Sequence, residues 1–121
     1  MEKGLATLEI YALACDLSKK CRKIYETLDY QTRKIVWDQF IRSVDSVWAN
    51  IAEWYGRFHY LDSVKFYYNA RWSLLEANHW TTVLHDRNFL SSNLYHELNS
   101  SLEILSKRLN IFIKVIKSKT T

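Results

Sequence analysis

The chain contains no proline and only two glycines in 121 residues. A sheet protein needs tight turns at short intervals, and those turns draw on glycine and proline for their backbone angles. A chain with almost none of either is directed towards a few long helices joined by short connections. Apolar residues make up 48% and charged residues 25%, a globular rather than disordered balance, and 15% of the residues are aromatic. A chain of this length can bury roughly two thirds of its unfolded surface, so it can stand without disulfides or metal.

Periodicity predicts one domain over residues 1–121, an all-α, antiparallel up-down-up-down four-helix bundle with helices over about 4–28, 32–56, 61–87 and 92–118. The second helix is the organising one. At 100° per residue, Phe40, Val44, Val47, Ile51, Trp54 and Phe58 fall on one seam, with Ile41, Trp48 and Tyr55 on a second beside it. Two seams imply two sets of neighbours. In the first helix Leu5, Leu8, Tyr11, Ala12, Cys15 and Leu28 are expected towards the core. In the third, Phe66, Ala70, Ser73, Ala77, Trp80 and Leu84 form the seam. Val64, Tyr68, Trp72, Leu75 and Val83 point away from it, an apolar outer face that predicts self-association. The fourth repeats by four and three through Leu98, Leu102, Leu105, Leu109, Phe112 and Ile116, a stripe extended by Ile104 and Ile111. Asp29 to Thr32 supplies capping candidates before the second helix; Arg87-Asn88 and Ser91-Ser92 form the last turn.

The stretch Asn50-Ile51-Ala52-Glu53, followed by Gly56-Arg57, resembles the SNIAEGxGR signature of the bacterial four-helix bundle family encoded in intervening sequences of 23S rRNA genes. Without a gap, Phe66, Ala70, Ser73-Leu74 and Glu76 fall where that family writes F…A…GSL.E, so the likeness runs from about Ile41 to about Ala77. Trp54 and Trp72 stand where the family usually has glycines that permit close backbone approach. The resemblance implies a closed homopentameric ring. A related group, the accessory variability proteins of diversity-generating retroelements, has a similar ring with a basic surface associated with nucleic acid.

Chemistry is harder to find. Asn50, Glu53 and Arg57 share one helix flank, and Ser73 and Glu76 repeat the spacing on the next helix. This polar cluster reads first as a register device and second as a small binding site, because no nucleophile and base accompany it. Glu76 and His79 have the Glu-x-x-His form of di-metal bundles, but no second copy exists, so no metal and no cofactor are expected. Glycine-rich phosphate loops are excluded by composition. Cys15 and Cys21 lie six apart on one helix and cannot pair, so free thiols are expected. No apolar run approaches the roughly 20 residues of a membrane span. Ala12-Leu13-Ala14-Cys15 faintly resembles a lipoprotein cleavage site, but Glu9 interrupts its apolar region, and a cytoplasmic location is expected.

Basic residues exceed acidic ones by 17 to 13, a net charge of +4. Five copies in a ring would carry about +20, enough to attract RNA or DNA through counterion release. The candidate phosphate contacts are Lys19, Lys20, Arg22, Lys23, Arg33, Lys34, Lys114, Lys117 and Lys119. The expected function is therefore a non-enzymatic, homo-oligomeric nucleic-acid-binding accessory protein, with a protein-partner scaffold as the alternative.

Overall fold

The computed structural model describes the backbone of residues 2–55 and 60–120, and the side chains of residues 9–54 and 64–114. Four long helices account for it. Helix α1 is Glu2–Glu26, and α3 and α4 are Tyr60–Asp86 and Ser92–Thr120. Helix α2 begins with one turn at Tyr30–Thr32, passes through a π-helical segment at Arg33–Trp37 and continues as α-helix over Asp38–Tyr55. No strand occurs among the described residues.

The cross-helix contacts give the topology. On α1 and α2, Ser18 and Arg22 meet Asp45 while Tyr25 meets Asp38, so one index rises as the other falls. Ser46 with Ser73 and Trp54 with Tyr67 do the same for α2 and α3. Tyr67 with Leu109 and His85 with Ser92 do so for α3 and α4. Lys20 with Glu97 and Glu9 with Arg108 close the ring between α4 and α1. Every neighbouring pair is antiparallel. The α2–α3 contact is the most extensive, the α1–α4 contact the least.

Helix ends are set by side chains where glycine is lacking. Asp29 caps α2 by accepting from the Thr32 amide at 2.8 Å. Arg33 reaches back to the last carbonyls of α1, donating from Nε to Tyr25 and from Nη2 to Glu26, both at 3.1 Å. At the end of α3, Asn88 takes the left-handed conformation at φ 63°. The Asn88 amide donates to His85 and the Phe89 amide to Leu84 at 3.0 and 2.9 Å, the paired bonds of a Schellman closure. Ser91 then caps α4 by accepting from the Leu94 amide.

The core seam of α2 is as expected: Phe40, Ile41, Val44, Val47, Ile51 and Trp54 are buried, Trp48 is half-buried, and Tyr55 and Phe58 lie outside the described side chains. Val36 and Trp37 join it through the π segment. Trp54 sits edge-on to both Tyr67 (5.2 Å) and Phe112 (4.9 Å), and those two rings stack on each other at 6.0 Å. One indole thus ties three helices together, each edge-to-face pair adding about 0.5–1.5 kcal/mol beyond area burial. The Tyr67 hydroxyl donates to the Leu109 carbonyl, and burial pushes its phenol upward.

The other faces differ in phase from expectation. On α1 the buried residues are Ile10, Ala14, Leu17, Ser18 and Cys21, whereas Ala12 is exposed, Tyr11, Cys15 and Leu28 are half-buried, and Leu5 and Leu8 lie outside the described side chains. Within Leu5 to Ala14 only Thr7 and Glu9 break the apolar run, so its sequence fixes the phase weakly. On α3, Tyr67, Leu74 and Thr81 are buried beside Ala70, Ser73, Ala77 and Leu84, while Phe66 and Trp80 are only half-buried. The helix serves two neighbours and its buried arc is turned towards both. On α4 the predicted Leu98, Leu102, Leu105, Leu109 and Phe112 are buried. Ile104 and Ile111 are exposed at 46% and 62%, and Ile113 takes the inward position; Ile116 lies outside the described side chains.

The closure of α3 makes a direct test. Asn88→Ala must hold a Cβ-bearing, non-asparagine residue at positive φ and should lower stability to urea by about 1 kcal/mol, whereas Asn88→Gly should leave it nearly unchanged.

Candidate nucleic-acid surface and interhelical groove

Four of the seven described candidate cations are occupied within the chain. Lys20 pairs with Glu97, and Arg22 reaches Asp45 at 3.0 Å. Arg33 caps α1 and lies 4.6 Å over the Tyr25 ring. Lys34 stands 3.5 Å from Asp38. Of the described candidates, Lys19, Lys23 and Lys114 are exposed and have no ion-pair partner among the described residues. Lys117 and Lys119 lie outside the described side chains. The run of basic residues on α1 is thus split: Lys19 and Lys23 face solvent, and Lys20 and Arg22 lace α1 to its two neighbours.

Asp38 anchors this corner. It accepts from the Tyr25 hydroxyl at 2.5 Å, which holds its carboxyl below the usual range, with Lys34 and Arg42 acting in the same direction. The same hydrogen bond, to a carboxylate, pushes the Tyr25 phenol up. Asp29 is likewise lowered by the Thr32 amide it caps.

The motif cluster assembles only in part. The Ser46 and Ser73 hydroxyls meet at 2.8 Å across α2 and α3, and Asn50 Nδ2 donates to the Ser46 carbonyl at 2.8 Å and its hydroxyl at 3.2 Å. Ser73 is buried, so the contact fixes the register of the two helices. Ser46, one turn before Asn50, is the member that the motif spacing missed. Glu53 is exposed, and Glu76 is exposed without a hydrogen bond or ion pair among the described residues; Arg57 lies outside them. No group of three or more metal-capable side chains occurs among the described residues.

The outer face of α3 is smaller than five residues. Val64, Tyr68 and Val83 lean partly into the core, which leaves Trp72 and Leu75 exposed at 66% and 57%. The long side chains of a helix lie back over the preceding turn, so positions beside the seam can still reach apolar neighbours. Tyr68, Arg71, Trp72 and Leu75 outline a shallow hollow there.

A second feature, between α3 and α4, carries no sequence motif. A groove of about 520 Å³ runs there, floored by Leu74, Leu75 and Leu102 and walled by Arg71, Asn78, Asn99, Glu103, Ser106, Lys107 and Asn110. Asparagine recurring on the facing flanks of two helices was its only signal in the sequence.

The chain matches the model of the 23S rRNA-intervening sequence protein family over residues 6–111. It belongs to that family. A crystal structure of a protein of unknown function from the S23 ribosomal protein family of Bacteroides thetaiotaomicron is similar at a TM-score of 0.81 and 20% sequence identity, covering 93% of this chain and 98% of that one. At that identity the likeness speaks for the fold alone. The comparison with curated proteins found no match. In this chain the family's glycine positions hold Trp54, fully inside the aromatic core, and Trp72, out on the surface. No helix among the described residues is long and apolar enough to cross a membrane.

Cys21 is fully buried and burial pushes its thiol up to about 12, whereas Cys15 is half-buried. A thiol reagent at pH 8 should therefore label Cys15 in the folded protein and reach Cys21 only on unfolding, as mass spectrometry of the digest would show.

The Tyr25–Asp38 bond predicts a pH signature. Tyr25→Phe should lower the urea midpoint at neutral pH. Because the Asp38 value is depressed, the gap from wild type is full above about pH 4 and closes as pH falls through the folded Asp38 value. Because the Tyr25 value is raised, the gap is full below about pH 10 and closes as pH rises through the folded Tyr25 value.

Proposed function

We propose that the protein is a non-enzymatic accessory factor that binds RNA or DNA through the outer basic surfaces of a homo-oligomer. The observation that carries this is the exposure of Lys19, Lys23 and Lys114, which have no ion-pair partner among the described residues. One copy presents too few such cations for firm binding. Several copies joined through the Trp72 and Leu75 faces would repeat them around a ring and raise the field accordingly. A closed pentamer, as the family resemblance implies, is the assembly this reading takes. Among the described residues no pair of side chains is poised as nucleophile and base to support an enzyme reading.

A protein-partner scaffold is the second reading, favoured by the occupation of Lys20, Arg22, Arg33 and Lys34 within the chain.

Titrating a labelled 30-nucleotide RNA at several salt concentrations separates the two. The proposal expects log K to fall linearly with log salt, and Lys19→Ala with Lys23→Ala to make that slope shallower by about one to two per copy in contact. Binding without a salt slope, or none at all, would favour the scaffold. Solution mass measured on the same samples should drop on Trp72→Glu.

A further inference from the structure

The groove between α3 and α4 contains more hydrogen-bonding capacity than the chain uses. Asn99 and Asn110 are half-buried within it and Asn78 stands at its lip. None of the three side-chain amides has a hydrogen-bond partner among the described residues, and the Asn110 Oδ1 atom is fully buried without a donor. Asparagine is a poor helix former, and each of these amides offers two donors and an acceptor. Placing three of them along one interhelical groove disfavours the helices, and it leaves the Asn110 Oδ1 atom buried without a partner while the exposed Asn78 and half-buried Asn99 amides stay open to solvent or a ligand. A residue chosen for stability alone would be leucine, as at the neighbouring Leu74 and Leu102.

The shape and charge narrow the ligand. From Asn99 to Asn110 the groove follows α4 for roughly 16 Å at 1.5 Å per residue, a length that suits a chain rather than a compact molecule. Its polar groups are mostly neutral. Lys107 is held at 3.2 Å by Glu103, which leaves Arg71 as the uncompensated charge of the lining. A nucleic-acid strand would bring a phosphate with every nucleotide and find one cation to meet them. An extended peptide brings neutral carbonyl and amide groups in alternation, which side-chain amides match as both donors and acceptors, and its apolar side chains can rest on the leucine floor.

We infer that the α3–α4 groove is a binding site for an extended peptide segment of a partner protein, held by the Asn78, Asn99 and Asn110 amides on its main chain and by Arg71 on an acidic side chain. The site shares no residue with the basic surfaces proposed for nucleic acid and does not depend on them; it borders the face proposed for self-association at Leu75, where a peptide and a neighbouring copy would meet edge to edge.

The test uses the full chain and its Asn78→Leu/Asn99→Leu variant. Random dodecapeptides displayed on phage are selected against the wild type, and the recovered peptides are synthesised and titrated while the asparagine side-chain amide signals are followed by NMR. The expected result is micromolar binding that shifts the Asn99 and Asn110 signals and weakens at least tenfold in the variant, whose Tm is unchanged or higher. A fall in the variant's Tm would give the amides a structural role and overturn the inference. So would failure to enrich any peptide, equal binding to both proteins, or shifts of these signals by a 12-nucleotide single strand in place of peptide. Asparagine signals that move with protein concentration alone would put a second copy in the groove and overturn it equally.

Discussion

The arrangement of the bundle depends on one indole. Trp54 lies edge-on to Tyr67 of α3 and Phe112 of α4, so the end of α2 is joined to both following helices by rings in direct contact. A glycine at this position would let the α2 and α3 backbones approach closely; a tryptophan needs the space itself. The Tyr67 ring answers by stacking on Phe112 and sending its hydroxyl to the Leu109 carbonyl. The departure from the family motif is thus absorbed by aromatic packing. The second tryptophan, Trp72, is not absorbed in this way and remains on the surface.

Around that centre, polar groups fix how the helices slide. Ser46 with Ser73 sets α2 against α3, and Asp45 with Ser18 and Arg22 sets α1 against α2. The α1–α2 corner adds Tyr25, Asp38 and Arg33, with the π segment running alongside. Buried apolar seams alone tolerate a shift along the axis, while hydrogen bonds of defined length between two helices do not. Several of the residues that look like a nucleic-acid surface in the sequence serve this purpose. Lys20 and Arg22 are cross-helix struts first.

The division between what the sequence disclosed and what it did not follows the range of the interaction. Four helices, the seams of α2 and α4, the family motif, the capping stretch at Asp29 and the turn at Asn88 and Ser91 depend on near neighbours along the chain, and they were legible. The phase of α1 was not, because the stretch from Leu5 to Ala14 is apolar at all but Thr7 and Glu9 and packing selects Ile10 and Ala14. Ile104 and Ile111 share a heptad spacing with core residues but stand one position off the buried arc, a difference of 100° that apolarity cannot register. Ion pairs between helices join residues more than twenty apart, so a basic run could be read while its neutralisation could not. The Asn78–Asn99–Asn110 groove exists only once α3 and α4 are side by side.

The α1–α4 seam has one further consequence. It joins the residues most distant in sequence, has the thinnest packing of the four contacts, and its two ion pairs are half-exposed, each worth at most about 1 kcal/mol. The α2–α3 hairpin has the densest interface. Chain assembly would then start from that hairpin and finish where Glu9 meets Arg108. The same edge would part first in the native state.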